Sequence, residues 1–416
     1  MTATMKLLFN FFKRWRLFFY SIFSAILLLS LTYIFNNFPD TLPGEFSQVE
    51  QKIGGFYFDS KQNPYIDSVY IVNTSYDREL VDLYDEDSFY VGNIDISNRG
   101  KLLSFLEQAK QANNYKYIIL DIHFKEGYNT PIDSALFQTI ASMDRIIIPK
   151  HDGENLADTI LYPKARYNDY STTLFEGDFV KYEYVKDGEL CLPYSVYHDL
   201  TNISIQQCGP FYFSNGNLCN KCVALNFSAS DWLYENEYQN LGSDILDNEY
   251  VSIANNINNK YVVIGEITEN DIHDTFIGPL PGAIITLKAI FTLFNNGHII
   301  SWYSIVLFFL LYTILSFIIL KKRSITRSIF NKSLKLFKCE NIFENLKNKL
   351  AEHPVAMKLF RCFKNVFSFV CSFFGFGIIF SIIAILFHIF STSEYGILIP
   401  TSYFSFLNQL SKYLKS

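Results

Sequence analysis

The chain has 416 residues and a formal net charge of −6, and this length allows two or three domains. Aromatic residues make up 17 % and charged residues 18 % of the chain, which excludes a disordered protein, since such chains are charged and poor in aromatics. The negative charge also excludes a nucleic-acid-binding protein of the usual basic kind. A mean hydropathy of +0.11 is high for a soluble enzyme, and three apolar segments account for the excess.

These three segments are long enough to cross a bilayer. Residues 17–35 and 302–320 carry no charge, and residues 366–390 carry only His388. A spanning helix needs about 20 mostly apolar residues, whereas a buried core helix normally shows a polar stripe. We therefore predict three transmembrane helices. The first is read as an uncleaved anchor, because its apolar stretch exceeds the roughly 7–15 residues of a signal peptide and no cleavage site follows it.

The distribution of charge predicts the orientation of these helices. Residues 1–16 contain four basic residues and no acidic one, and residues 321–365 contain 12 Lys and Arg against three Glu. Short basic segments stay in the cytoplasm. The sequence therefore predicts a cytoplasmic N-terminus and a cytoplasmic loop at 321–365. Residues 36–300 and the tail 391–416 are then extracytoplasmic.

The large extracytoplasmic segment is strongly acidic. Residues 36–300 hold 37 of the 41 Asp and Glu residues but only 17 of the 35 Lys and Arg residues. This balance favours solubility outside the membrane and repulsion from anionic lipid headgroups. It identifies no ligand by itself.

Strands and helices alternate at the start of this segment. Apolar runs predict strands, and apolar residues spaced i, i+3, i+4, i+7 predict one-sided helices. In chain order we predict a strand at 69–73, a helix at 99–112, a strand at 117–121, a helix at 133–141 and a strand at 145–149. Two successive strand–helix–strand units imply a parallel sheet with helices on its faces.

The rest of the segment completes the predicted fold class. Residues 150–250 are rich in Tyr, Asn, Asp and Ser, which indicates inserted antiparallel strands and loops. A core strand at 261–265 and a helix at 283–294 follow. We therefore expect an α/β extracytoplasmic domain, with a mainly parallel sheet, flanking helices and an inserted antiparallel part, joined to three transmembrane helices.

Polar residues follow several of the predicted strands, and the carboxyl ends of parallel strands are where sites form. The candidate ligand-binding residues are Asp121, His123, His151, Glu266, Asp271, His273 and Asp274. A small molecule and a divalent cation are both compatible with His and carboxylate groups. Alternatively, Asp121 and Asp274 accept backbone hydrogen bonds and hold the loops. The spacing reproduces no known metal cage, so we predict neither a metal site nor a cofactor.

Four cysteines lie in the extracytoplasmic segment: Cys191, Cys208, Cys219 and Cys222. An even number of cysteines in an oxidising compartment predicts two disulfides, with three pairings open. Redox chemistry at the Cys219–Cys222 pair and a zinc site are alternatives. The pair lies in a turn-rich stretch and has no second pair or histidines nearby, which disfavours both.

A series of short motifs resembles one known family of domains. The closing motifs are Tyr261–Gly265, Asp274, Pro279, Pro281–Gly282, Ala289 and Asn296–Gly297, and they follow Ile118–Asp121 with Phe124, Asp133 with Ala135–Leu136, and Leu225–Phe227. In this order they resemble the second class of CHASE domains, which are extracytoplasmic sensory domains of bacterial receptors. The resemblance spans residues 60–298 and implies a periplasmic sensory domain in the bacterial inner membrane.

The sequence departs from that family in several ways. Asn73 stands where members usually carry aspartate, and Thr286 stands where members often carry histidine. Members commonly have three C-terminal spans, whereas two are evident here. Members also end in a cytoplasmic kinase or cyclase domain, and this sequence ends at Ser416 without one.

The missing output domain leads to the functional prediction. We expect a non-enzymatic sensory protein that binds an unknown ligand or envelope partner and relays the signal in trans to a separate protein. The basic loop 321–365 is the expected docking segment for that partner or for anionic lipid. The expected surroundings include the lipid bilayer but no nucleic acid, and a homo-oligomer is compatible with these features. The alternative is a non-switching structural subunit of an envelope complex.

Overall fold

The structure is a computed structural model that describes most of the chain. The described residues are 3–37, 68–84, 87, 89–172, 179–224, 238–268, 270–275, 278–321, 366, 369, 373, 375–377, 380 and 398–413. The predicted loop at 321–365 lies outside them except for Lys321, as do residues 225–227 and most of the predicted span at 366–390. The chain divides into two compact units, residues 39–299 and residues 1–38 with 300–416.

The first helix and the last two described helices belong to the smaller unit, and the other described helices and the strands belong to the larger one. The helices are α1 (Ala3–Asn36), α2 (Arg99–Ala112), α3 (Asp133–Ser142), α4 (Leu192–Thr201), α5 (Ile253–Asn256), α6 (Gly282–Phe294), α7 (Trp302–Lys321) and α8 (Leu398–Tyr413). Strands β1 to β9 are Val69–Asn73, Arg78–Tyr84, Tyr90–Ser97, Tyr117–Asp121, Ile146–Lys150, Ala165–Tyr167, Tyr170–Thr172, Phe179–Glu183 and Val185–Lys186. Strands β10 to β18 are Glu189–Leu190, Ile205–Cys208, Phe211–Ser214, Asn217–Cys219, Cys222–Ala224, Tyr238–Asn240, Tyr261–Gly265, Ile272–Thr275 and Gly278–Pro281. The described residues also include a 3-10 helix at Thr159–Lys164 and a π-helical turn at Leu241–Leu246.

The centre of the larger unit is a parallel sheet of six strands in the order β15-β1-β16-β4-β5-β6. Each neighbouring pair in this sheet is parallel. Strand β16 lies between β1 and β4, with Gly265 opposite both Asn73 and Asp121. The strand ends of β1, β16 and β4 are therefore aligned at one edge. The predicted mixed α/β class with a parallel sheet and flanking helices is confirmed.

Alternate side chains of the central strands enter different hydrophobic cores, as the two-residue period of a strand requires. On one face, Ile118 and Leu120 pack with α2 and α3 through residues such as Phe105. On the other face, Ile119 and Val263 pack with α4 and α6. Burial on both faces explains why these strands are continuously apolar in sequence.

Helix α2 begins and ends where its sequence provides caps. The Asn98 side chain accepts a hydrogen bond from the Lys101 backbone N–H at 2.9 Å, which satisfies one of the helix's unpaired N-terminal donors. Asn113 ends the helix in the left-handed conformation, with φ of 47°, a role that Asn performs more readily than most residues. The predicted bounds, 99–112, are confirmed.

The middle of the chain is less purely antiparallel than the sequence predicts. Strands β6 and β15, within residues 150–250, join the edges of the parallel sheet. The rest builds a sheet containing β14, β8, β17, β18 and β7, and a meander of β11, β12 and β13. Helix α4 and the β2–β3 hairpin were not predicted. Their apolar patterns are short or lack a single apolar face, so they look like loop sequence. Tertiary contacts determine their conformation.

The abundant tyrosines of the middle region form a third core. Tyr182, Tyr184, Tyr194 and Tyr197 are buried together against α6. His298 is enclosed by three of these rings, at centroid distances of 5.6 to 6.5 Å. Burial lowers the pKa of His298 to about 4, so this imidazole is neutral. The aromatic enrichment therefore provides packing for the second sheet.

The smaller unit contains two helices that are long and apolar enough to cross a membrane, Trp15–Asn36 within α1 and Trp302–Lys321. The Ser24 hydroxyl lies 3.0 Å from that of Ser316 and also hydrogen-bonds the Tyr403 hydroxyl of α8. Phe404 packs in the same apolar cluster. The tail that the sequence left without structure thus contains a helix packed on α1 and α7.

We expect Phe105→Ala to lower the free energy of unfolding by about 3–5 kcal/mol, because the ring is fully buried between α2 and the sheet. Gln108→Ala, at an exposed position of the same helix, should change it by less than about 0.5 kcal/mol. Chemical denaturation of the full chain in detergent measures both. Equal effects would contradict the assignment of the buried face.

Candidate functional site

A cavity of about 900 Å³ lies at the edge of the parallel sheet where the carboxyl ends of its strands meet. Six of the seven predicted ligand-binding residues line this cavity: Asp121, His123, His151, Glu266, Asp271 and His273. They come from the ends of β4, β5 and β16 and from the start of β17. The structure thus brings together residues that are up to 152 positions apart in sequence.

Asp274 is the predicted residue that lies outside this cavity. Asp271 and His273 are two positions apart and face the cavity, whereas Ile272 and Asp274 are exposed. This alternation follows the two-residue period of strand β17. The alternative in which a buried Asp274 holds the loops is therefore wrong.

Asp271 approaches the first turn of α6 closely because residue 282 is glycine. A Cβ atom at Gly282 would lie 2.2 Å from Asp271 Oδ2, so any other residue at this position would force the Asp271 carboxylate to move. The Gly282 backbone N–H donates to the Asp271 carbonyl at 2.9 Å. The Asp271 carboxylate accordingly lies beside the positive end of a helix dipole, and its Oδ1 is 2.9 Å from Nε2 of His273.

Asn73, at the end of β1, has a different role. Its Oδ1 accepts hydrogen bonds from the backbone N–H groups of Ser75 and Ile267 at 3.0 and 3.1 Å, and its Nδ2 donates to Asn240 at 2.9 Å. The side chain is fully buried. Asn73 therefore ties three strand ends together, and an amide supplies both the donor and the acceptor that this position needs.

Most charges in the cavity wall are neutralised by neighbours. Four Lys or Arg and seven Asp or Glu residues line it. Three of the four basic residues lie within hydrogen-bond distance of carboxylates. These carboxylates belong to five of the seven acidic residues. The pairs are Arg78 with Glu266 and with Asp95 (3.0 Å), Lys125 with Glu154 (2.7 Å), and Lys186 with Asp169 (2.5 Å) and Asp152 (3.1 Å).

The fourth basic residue is Arg99, which was not predicted. It is 2 % exposed, stacks on the Phe124 ring at 4.4 Å and reaches Asp133 Oδ1 only at 3.7 Å from Nε. Its Nε and Nη1 donate to no acceptor among the residues that the structure describes. Burial, the largest cause, lowers the pKa of Arg99 to about 10, so the guanidinium stays charged at neutral pH.

Asp121 is the cavity carboxylate whose negative charge is least offset by neighbouring groups. It accepts a hydrogen bond from the neutral amide of Asn168 at 3.2 Å, and it enters no ion pair with a described residue. Burial first, and the Asp271 charge second, raise the pKa of Asp121 to about 7. Asn168 also donates to Thr286 at 3.2 Å, and Thr286 lines the cavity too.

Two histidines whose rings are in contact have pKa values displaced in opposite directions. His123 and His151 lie edge to face, with centroids 4.9 Å apart. Burial, followed by the proximity of His151, lowers the pKa of His123 to about 4. A hydrogen bond to Asp169, at 3.4 Å, raises the pKa of His151. The pair therefore presents one neutral and one more basic imidazole.

The arrangement does not form a metal cage within the described part of the chain. No group of three or more His, Cys, Asp or Glu residues there has the geometry to hold a metal ion. The carboxylates at the cavity are instead directed to Arg78, Lys125 and Lys186. These contacts favour an organic ligand over a bare cation.

The predicted disulfides are not formed. The structure holds Cys191, Cys208, Cys219 and Cys222 as thiols. Strand β12 separates Cys208 from Cys219, and a two-strand separation of about 10 Å exceeds the Cα distance of about 7 Å that a disulfide spans. Burial raises the pKa of Cys219 to about 12, so its thiol stays protonated, which disfavours redox chemistry at this pair.

Sequence reasoning found three of the seven acidic residues and the three histidines of the cavity. It missed the other four acidic residues and, among the remaining lining residues, Arg78, Arg99, Asn168 and Lys186. The residues that were found follow apolar runs, and a polar residue after such a run indicates the end of a strand. Arg78 and Arg99 instead begin elements, and Asn168 and Lys186 lie in the irregular middle. Nothing in the sequence pattern marks these four residues.

Comparison with known proteins identifies no relative. No family model matches the chain, and neither the curated proteins nor the solved structures include a significant match. The resemblance to the second class of CHASE domains therefore stays a prediction.

We expect Asp121→Asn to raise the free energy of unfolding by about 1–2 kcal/mol at pH 8. The folded-state pKa of Asp121 is raised to about 7, with Asp271, His151 and His273 as its charged neighbours. The stability that the protonated carboxyl provides is complete below about pH 4 and is lost as pH rises through 7. The gain should therefore shrink from pH 8 towards pH 4.

Thermal unfolding of the full chain in detergent across this pH range measures the effect. Asp144→Asn, at an exposed position outside the cavity, is the matched control and should leave the profile unchanged. A variant less stable than the natural chain at pH 8 would instead show that the ionised Asp121 holds the loops.

Proposed function

We propose that this chain is a sensory protein of the bacterial inner membrane whose extracytoplasmic domain binds a small molecule. The observation that carries the proposal is the polar cavity at the carboxyl edge of the parallel sheet. Ligands of open α/β sheets bind at this edge. Its volume of about 900 Å³ falls within the range of about 300–1,000 Å³ that is usual for small-molecule pockets.

The membrane anchorage follows from the two long apolar helices. The proposed orientation places residues 1–16 and 321–365 in the cytoplasm because both are basic. It also places the acidic residues 36–300 in the periplasm. The third span at 366–390 completes the arrangement as part of the same proposal, which includes no catalytic step.

Helix α6 is the proposed route of the signal. Its first turn contributes Gly282, Ile285 and Thr286 to the cavity wall. After residues 295–301 the chain continues into the apolar helix α7. A ligand that binds one position of α6 more tightly than another would shift the population of the two positions. The segment that leads from α6 into α7 would then shift together with α6.

The receiving protein is proposed to dock on the cytoplasmic loop. Residues 321–365 carry 12 Lys and Arg against three Glu, interleaved with apolar residues such as Phe337 and Leu346. Such a pattern suits an acidic partner or an anionic lipid surface. The resemblance to a family of sensory domains also supports relay of a signal to a separate protein.

A capture experiment tests the ligand-binding step. The full chain in lipid nanodiscs is incubated with a bacterial metabolite extract, and retained molecules are released by denaturation and identified by mass spectrometry. We expect Ile94→Trp to abolish retention, because Ile94 lines the cavity and the larger indole would project into the space that the ligand occupies. Val91→Trp places the same ring on the same strand, at a position 61 % exposed and outside the cavity, and should retain the molecule.

Failure of the natural chain to retain any molecule in excess of Ile94→Trp would refute ligand binding in this cavity. Equal loss in the Ile94→Trp and Val91→Trp variants would do the same, since it would show that the effect does not depend on the cavity.

A second experiment tests relay. Affinity purification of the full chain in mild detergent, with quantitative mass spectrometry, should recover a signalling protein that is lost when residues 325–350 are replaced by a neutral linker. An envelope complex recovered equally with both chains, without a signalling protein, would refute relay and establish a structural subunit instead.

A further inference from the structure

The cavity wall holds hydrogen-bonding groups that the protein itself leaves unused. Among the described residues, Nε and Nη1 of Arg99 have no acceptor, and Oε2 of Glu266 has no donor. Arg99 is 2 % exposed, and the Glu266 side chain is 17 % exposed. Leaving buried groups of this kind unpaired destabilises the fold, and more so when they are charged. Such groups persist where a ligand completes them.

These unused groups have opposite charge. Arg78, Lys125 and Lys186 are within hydrogen-bond distance of carboxylates, which leaves Arg99 as the guanidinium with donors to offer. Its planar fork matches a carboxylate, which can accept two parallel hydrogen bonds. The cavity therefore contains one unfilled position for an anion.

The acidic position lies at the ends of two adjacent strands. Asp121 ends β4 opposite Gly265 of β16, and Glu266 follows directly. The Asp121 carboxylate accepts from the neutral Asn168 amide but has no ion pair with a described residue. One oxygen of Glu266 is taken by Arg78, and the other is unused. An ammonium group, with three donors, would compensate the Asp121 carboxylate, whereas Glu266 already has Arg78 as its cationic partner.

The geometry points to a zwitterionic ligand, an amino acid or a similar small amino-carboxylate, with its carboxylate on Arg99 and its ammonium group on Asp121. This inference rests on the proposed function, because it names the chemical class of the molecule that the cavity binds. A simple anion would leave the Asp121 carboxylate uncompensated, and a simple amine would leave the Arg99 guanidinium without an acceptor.

Charge-deleted probes test this assignment directly. Isothermal titration of the full chain in nanodiscs uses the proteinogenic L-amino acids one at a time, each with its C-terminal amide and its N-acetyl derivative. We expect at least one free amino acid to bind. Its amide and its N-acetyl derivative should each bind about 10–100-fold more weakly, the factor expected for loss of a hydrogen-bonded charged contact.

Two variants assign each charge to its residue. In Arg99→Gln the free acid and its amide should bind equally, while the N-acetyl derivative is still discriminated against. In Asp121→Asn the preference for the free amine over its N-acetyl derivative should fall about tenfold or more, while discrimination against the amide persists. Asp121→Asn keeps the test decisive if Arg99→Gln does not fold, which its thermal unfolding without ligand reveals.

Two substitutions outside the cavity serve as matched controls. Arg145→Gln replaces an arginine that stacks on Tyr115 at 5.1 Å, and Asp144→Asn replaces an exposed aspartate. Both should bind every probe as the natural chain does.

Three outcomes would overturn the zwitterion assignment. The first is equal affinity for an amino acid and its amide in the natural chain. The second is unchanged discrimination in both cavity variants, and the third is binding of no amino acid. Capture of a different molecule that Ile94→Trp abolishes would leave the proposed function standing while this assignment fails. The absence of any captured molecule would remove both.

Discussion

Parallel hydrogen bonding of β1, β16, β4 and β5 determines where the polar chemistry of this domain lies. Because neighbouring strands run in the same direction, their carboxyl ends meet at one edge, and each polar residue that follows a strand is delivered to it. Asn73 then joins the ends of β1, β15 and the segment after β16 through its amide. The cavity wall is thus built on backbone that is held from several directions.

Electrostatic pairing within the wall decides what the cavity offers. Burying charges is costly unless they are paired, and Arg78, Lys125 and Lys186 meet that condition through nearby carboxylates. Arg99 reaches a carboxylate, that of Asp133, only at 3.7 Å, and Asp121 has no ion pair with a described residue. The pKa of each is displaced mainly by burial. Such residues destabilise the folded state, and they are typical of sites in which a ligand supplies the opposite charge.

Helix α6 connects this chemistry with the rest of the domain. Its first turn borders the cavity, and its buried side packs on the parallel sheet and on the tyrosine core. Tight approach is required at both sides, since a Cβ at Gly265 would lie 2.9 Å from that of Ala283. A close-packed helix transmits displacement better than a loosely held one, because packed cores adopt discrete arrangements.

The sequence by itself determined the elements whose side chains follow one clear period. Helix α2 was predicted to the residue and strands β1, β4 and β16 likewise, because continuous apolar runs and one-sided helical spacing have few other interpretations. Parallel alignment then follows from strand–helix–strand order, so six cavity residues could be selected at strand ends. The two apolar helices were equally readable from length alone.

Only the tertiary structure decided which charges are compensated. Arg99 and Arg78 begin their elements in unremarkable sequence, and their importance arises from partners up to 188 positions away. Asp271 and Asp274 look equivalent in sequence, but one faces the cavity and the other is exposed, because strand register sets which face is buried. Whether Cys208 and Cys219 can form a disulfide likewise depends on strand order, because β12 lies between their strands. Periodicity is local and therefore visible in sequence, whereas pairing between distant side chains exists only in the folded chain.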